Sequence, residues 1–207
     1  MDVSKPYSAL VPTLDGPVLA VLAGTTRPLT GREVARLAGR RGHSGVLVVL
    51  SRLAEHGLVD RQEAGRSLLY TLNRDHLLAP AVQLLAGIRA ELRLRIAQTL
   101  EEWVISPLHV SMFGSAARGD GDTKSDVDLL VVRREGTSAE DEQWRAQLDD
   151  LATDIRRWTG NHAGIADVDE DQLHGLERAK KPIVSELRRD AITIYGPSID
   201  ELLRVPV

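Results

Sequence analysis

An α+β chain with two folded parts joined by a long helix is the arrangement this sequence predicts, and three observations predict it. Residues 1–76 show the order helix, capped helix, helix, hairpin. Apolar residues at spacings of three and four then run from Ala81 to Trp103. After them come a strand, a Gly-Ser loop and a second strand bearing Asp126 and Asp128. The expected domains are therefore 1–76, a connecting helix over 77–104, and a mixed sheet with flanking helices over 105–207.

Composition narrows the function classes. Hydrophobic residues make up 43% of the 207 and charged residues 27%, ordinary values for a globular protein. Without cysteine there is no disulfide framework and no thiolate metal site. The opening Met1-Asp2-Val3-Ser4-Lys5-Pro6 lacks the basic and then apolar layout of a signal peptide. No apolar run approaches the roughly 18 residues that would span a bilayer. A cytoplasmic protein with no membrane association is expected. The net charge of −4 is uneven. Residues 1–78 hold ten Lys/Arg against seven Asp/Glu, whereas 79–207 hold sixteen against twenty-three. A basic front and an acidic back suggest two domains with different partners.

In the front part, Leu14 to Ala23 reads as a first helix. Thr30-Gly31-Arg32-Glu33 is a capping box, in which the Thr hydroxyl caps the helix and Glu returns to the Thr amide. Val34, Leu37 and Ala38 share one face of the helix that follows. Gly39 and Gly42 leave a short turn, and Ser44 is placed to cap a third helix with Val46, Val49 or Leu50, and Leu53 inward. Strands over Leu58–Gln62 and Ser67–Leu72 flank a turn, Glu63-Ala64-Gly65-Arg66. This order, with the stretch from Ser44 through Leu53-Ala54-Glu55-His56-Gly57-Leu58-Val59, resembles bacterial winged helix-turn-helix regulators. The resemblance implies a third helix in the major groove of double-stranded DNA and a wing on the backbone or minor groove. Arg40, Arg41, His43 and Ser44 at the helix entry, with Arg61 and Arg66 on the wing, are the expected DNA contacts, and the arginines would neutralise phosphates. Leu47 and Val48 occupy the outward positions, where they can touch a thymine methyl but cannot hydrogen-bond base edges. A packing or dimerisation module is therefore the alternative.

The connecting stripe comprises Ala81, Leu85, Ile88, Leu92, Ile96, Leu100 and Trp103, with Pro80 in an early turn. About 25 helical residues would span roughly 37 Å. Such a helix can join two domains, pair with its copy in a homodimer, or pack on the second domain.

The chemistry lies between residues 108 and 132. Leu108 to Phe113 reads as a strand that enters Gly114-Ser115-Ala116-Ala117-Arg118-Gly119-Asp120. A second strand is Ser125-Asp126-Val127-Asp128-Leu129-Leu130-Val131-Val132. Gly114 lets the backbone approach a phosphate, and amides at a helix start bind phosphate oxygens. Ser115 adds a hydroxyl and its amide, and Arg118 a charge for a triphosphate. Asp126 and Asp128, two apart on a strand, share a face. Two hard oxygen ligands suit Mg²⁺, which completes its shell with waters and substrate phosphates.

Phe113 to Val132 resembles the signature of the DNA-polymerase-β-type nucleotidyltransferase superfamily. It is closest to the minimal nucleotidyltransferases, including antitoxins to HEPN-type toxins, and to antibiotic nucleotidyltransferases. The resemblance covers roughly residues 107–197. It implies that Gly114 and Ser115 bind the triphosphate of a nucleoside triphosphate, and that Asp126 and Asp128 are catalytic and hold Mg²⁺. Farther along, a helix over Ser138–Trp158, a strand over His162–Val168, a helical region from Asp169, a strand near Ile192–Gly196 and a final helix capped by Ser198 are expected.

The same resemblance calls for a third carboxylate on the strand after the long helix, and the family's usual pattern would put it near Gly164, which has no side chain. Asp167 and Asp169 have the opposite strand parity, and Asp169 with Gln172 reads more simply as a helix cap. His162 shares the parity of Gly164. Two functions from different classes follow. One is transfer of a nucleoside monophosphate from a nucleoside triphosphate to a hydroxyl on a protein, nucleic acid or small molecule. The other is a nucleotide-binding transcriptional regulator or antitoxin in which transfer is weak or lost.

Overall fold

The computed structural model describes residues 1–204; the last three residues of the expected C-terminal domain, 205–207, lie outside the described residues. The chain divides into two compact units, Lys5–Arg89, and Met1–Ser4 together with the residues from Ala90 onward.

The first unit begins with a 3-10 turn, Pro6–Ala9, and α1 (Asp15–Ala23). A two-residue strand, β1 (Leu29–Thr30), leads into α2 (Gly31–Leu37). The capping box at Thr30 and Glu33 is formed in both directions. α3 (Ser44–Glu55) starts one residue earlier than expected: His43 is its cap residue and no side chain caps it, so Ser44 lies inside the helix. Val46, Leu50 and Leu53 are buried as expected, and Val49 with them. Leu47 is outward as expected, 36% exposed, although the tip of its side chain reaches α2. A Cβ on Gly31 would lie 2.4 Å from Leu47 Cδ2, so the absent side chain at 31 is the space Leu47 uses to pack on α2. Val48 stays 70% exposed.

β2 (Val59–Ala64) and β3 (Ser67–Leu72) form an antiparallel hairpin longer than the sequence suggested. Ala64 pairs with Ser67, so the turn is Gly65-Arg66 alone. Gly65 has φ +61°, which a two-residue turn with glycine first requires. The sheet order is β1-β3-β2.

α4 (Ala79–Glu101) is the expected long helix, and the boundary between the units falls within it. In the first unit its buried positions are Ala79 and Val82, whereas Ala81 is exposed. In the second unit Leu92, Ile96 and Leu100 join the core, followed by Trp103.

The second unit is a four-stranded sheet of order β6-β5-β4-β7. β4 (His109–Phe113) and β5 (Val127–Val132) are antiparallel, β6 (Ala163–Val168) runs parallel to β5, and β7 (Ile192–Tyr195) is antiparallel to β4. The two faces of β5 divide the core by alternation. Val127, Leu129 and Val131 pack with α4 and α6 (Glu142–Thr159). Leu130 and Val132 pack with α7 (Glu170–Arg178), α8 (Pro182–Asp190) and α9 (Ile199–Leu202). α6 starts at Glu142 rather than Ser138, because the Asp141 carboxylate accepts from Trp144 N at 3.0 Å and caps the helix there. The helical region after Asp169 is two helices, broken where Lys180 takes φ +49° before Pro182 begins α8. Asp169 with Gln172 and Ser198 with Glu201 form capping boxes, as their spacing predicts.

One buried group gives the fold a pH dependence. The His109 ring is fully buried, with Nδ1 2.6 Å from Pro197 O and Nε2 without a partner. Burial pushes its pKa below 6.5, so the folded chain holds it neutral while the unfolded chain protonates it. Its contribution is complete above pH 6.5 and is lost as pH falls below that value. The wild-type melting temperature is expected to drop on acidification through this range and to drop less in His109→Gln. Parallel curves for the two would remove His109 as the cause.

Candidate active site

Asp128 is the centre of the site because three chain segments meet around its carboxylate. It lies across from Phe113 on β4 and from Gly164 on β6. Beside Phe113, Gly114 turns the chain with φ +67°, and a Cβ there would sit 2.4 Å from Asp128 Oδ2. On the other side, a Cβ on Gly164 would sit 2.9 Å from Asp128 Oδ1. The carboxylate thus occupies a slot between two glycines, and the freedom of Gly114 makes room for an acid as well as for the turn.

Asp126 lies just before β5 and is exposed. Burial, and next the negative charge of Asp126, raise the Asp128 pKa above the usual carboxylate value; Arg118 opposes this and Glu186 of α8 adds to it. Two carboxylates that repel each other, one of them in a glycine-lined slot, are a donor set that a hard cation would relieve. Among the described residues no group of three or more His, Asp or Glu is arranged to hold a metal. The pair could supply two oxygens, which suits an ion that takes its remaining ligands from phosphates and water.

Ser115 and Arg118 lie on a single helical segment, α5 (Gly114–Arg118). The following loop folds back on it: a Cβ on Gly121 would be 3.0 Å from Ser115 Oγ and 3.2 Å from Ser125 Oγ. Asn161 Nδ2 donates to Ser125 O at 2.8 Å, and Ser4 Oγ to Gly121 O at 3.0 Å. Neither residue was singled out from sequence, and only the fold brings them to this loop. Arg118 Nε donates to Asp120 at 3.0 Å and Nη1 to Asp190 at 3.3 Å.

The expectation for the third acid is met at the backbone: Gly164 stands in register with Asp128. Asp167 points to the other face, where it accepts from Trp144 Nε1 at 3.3 Å and pairs with the buried Arg133 at 2.6 Å. Asp169 caps α7. His162 precedes the strand, so its parity does not carry over. Its ring nitrogens lie 3.0 and 2.9 Å from Arg156 Nη1 on α6. Neither His162 nor Asp167 fills the place of the missing carboxylate.

In the first unit, Arg40, Arg41, His43 and Ser44 are exposed at the turn into α3, while Arg61 and Arg66 are exposed on the β2–β3 hairpin.

Residues 94–194 match the family model of the nucleotidyltransferase domain. The match takes in the slot, α5, both aspartates and α8. No curated protein matches the sequence. Among solved structures, a toxin–antitoxin crystal structure with AMP-PNP is similar at 14% identity, over 54% of this chain and 80% of that one, with a TM-score of 0.38. A mutant of the toxin–antitoxin MntA–HpeT gives 15% identity over 54% and 78%, with a TM-score of 0.36. A candidate nucleotidyltransferase from Sulfolobus solfataricus gives 20% identity over 52% and 86%, with a TM-score of 0.27. No helix among the described residues is long and apolar enough to cross a membrane.

Proposed function

We propose that this chain binds a nucleoside triphosphate with Mg²⁺ and transfers its nucleoside monophosphate to a hydroxyl acceptor. The observation that carries this reading is the Asp126–Asp128 pair, with Asp128 slotted between Gly114 and Gly164 beside a Gly-Ser turn. In this reading Asp126 and Asp128 hold Mg²⁺, while Gly114, Ser115 and Arg118 hold the triphosphate. Bound there, Mg²⁺ supplies positive charge against the phosphates and the developing charge of transfer. Melting curves with each nucleoside triphosphate, with and without Mg²⁺, test it. A ligand at 100 times its Kd stabilises by about 2.7 kcal/mol. Stabilisation that requires Mg²⁺ is expected, and none with any triphosphate would sink the reading.

A second reading is favoured by a specific observation, the bare Gly164 in register with Asp128. Without a base at that place, transfer is expected to be slower by about 10²–10⁴-fold. The chain would then serve as a nucleotide-binding regulator or antitoxin acting on a protein toxin, as the resemblance of residues 113–132 suggests. Single-turnover transfer to candidate acceptors separates the two.

The first unit is proposed to be a winged helix-turn-helix that binds double-stranded DNA as part of a cytoplasmic homodimer. Its support is the order α1, β1, α2, α3, β2, β3 with an exposed hairpin and exposed arginines at both expected contact points. Domains over 1–76, 77–104 and 105–207 belong to the same reading. DNA affinity is expected to fall steeply with salt. Arg40→Ala/Arg41→Ala should reduce the slope of log K against log salt by about 0.9 for each phosphate that is no longer neutralised. Gel shifts with no binding at low salt would rule DNA out.

A further inference from the structure

Arg118 does not stand open to a ligand. Its Nε donates to Asp120, which is exposed, and its Nη1 to Asp190 at the end of α8, whose side chain is only 10% exposed. Asp190 is also held by its neighbour: Arg189 Nε lies 3.0 Å from Oδ1, and Arg189 Nη2 lies 2.7 Å from Oδ2. Arg189 therefore engages both oxygens of Asp190, whereas Arg118 reaches only Oδ2. If Arg118 left, Asp190 would keep a charge-assisted partner on each oxygen. Losing Arg118 would therefore not leave a shielded carboxylate unpaired, the outcome that makes breaking such pairs costly. Arg118 also lies close enough to the acid pair for its charge to act on Asp128.

We propose that Asp190 is a built-in competitor for the triphosphate: it holds Arg118 in the empty site and passes it to the phosphates when a nucleoside triphosphate binds, with Arg189 retaining Asp190. This rests on the reading that Gly114, Ser115 and Arg118 bind a triphosphate. In that frame α8 sets the affinity of the site by the strength with which it holds one guanidinium. A monophosphate that does not reach Arg118 would not feel the competition.

The test is the affinity of the full chain for inorganic triphosphate, ATP and AMP, each with Mg²⁺, by titration calorimetry. Asp190→Asn is expected to tighten inorganic triphosphate and ATP on the order of fivefold, the worth of a partly exposed ion pair, and to leave AMP unchanged. In an Arg118→Gln background the same substitution should change nothing. Weaker or unchanged triphosphate binding in Asp190→Asn overturns the inference while leaving the nucleotide reading in place, as does an equal gain in the Arg118→Gln background. Failure of both proteins to bind any of the three overturns both. Should Asp190→Asn not fold, the wild-type chain gives the answer by NMR. The Arg118 Nε–H resonance, assigned by its loss in Arg118→Lys, should move on adding inorganic triphosphate; a resonance that does not move overturns the exchange.

Discussion

Asp128→Asn is expected to weaken Mg²⁺-dependent binding of nucleoside triphosphate by at least about 100-fold while leaving the free protein at least as stable as wild type. The two halves of this result have one cause. Asn is nearly isosteric with Asp and fits between Gly114 and Gly164, so the slot stays filled. The carboxyl pKa is raised by burial and by Asp126, which means that the ionised form opposes folding above that pKa. Removing the charge relieves this cost in the free protein. The same charge is what a bound cation would use, and even an outer-shell change at a metal site costs 10–100-fold in affinity. A direct ligand should cost at least about 100-fold. At a nucleotide concentration near 100 times the wild-type Kd, stabilisation should then shrink from about 2.7 to about 0.4 kcal/mol. Melting curves of both proteins with and without ligand check it. A variant that keeps the wild-type shift would show that Asp128 holds no metal.

Trp144→Ala should be among the most damaging single changes in the second unit. The Trp144 side chain is fully buried at the start of α6, edge-on to Trp103 with ring centroids 5.4 Å apart. It packs in the cluster with Leu151, Ile155 and Leu129, and its indole N–H donates to Asp167. Truncating a buried Trp costs about 3–5 kcal/mol, a large share of the 5–15 kcal/mol that holds a typical protein folded. Trp144→Phe keeps most of the ring and loses the hydrogen bond, so a smaller loss is expected. Denaturant titration of the three proteins measures both. A loss below about 1 kcal/mol for Trp144→Ala would mean that the core closes over the cavity.

What could be read in the sequence was what neighbours along the chain determine. Three capping boxes, at Thr30, Asp169 and Ser198, depend on residues three apart and form as spaced. Asp128 sits on the expected strand whereas Asp126 falls just before it, and the bare place at Gly164 was what the family resemblance implied. What could not be read depends on distant meetings. Arg118 and Asp190 are 72 residues apart, and Asn161 reaches Ser125 across 36. Leu47 was assigned outward and is 36% exposed, but the helical period cannot know that Gly31 on the neighbouring helix leaves a space for the tip of its side chain. The early start expected for α6 failed for a smaller reason: Asp141 caps more firmly than Ser138, which only closes a local turn onto Glu140 N.

The glycine pair that brackets Asp128 also bears on how the site can change over generations. Every glycine codon is one base from an aspartate or a glutamate codon, so an acid at position 164 is always a short mutational step away. The step is not an independent one. A side chain at 164 would press on Asp128 Oδ1, and the room on the Oδ2 side exists only because Gly114 carries no side chain. An acid gained at 164 would require accommodation at Asp128 in the same lineage. An acid at 164 is thus close in codon space and guarded by the residue it would stand beside.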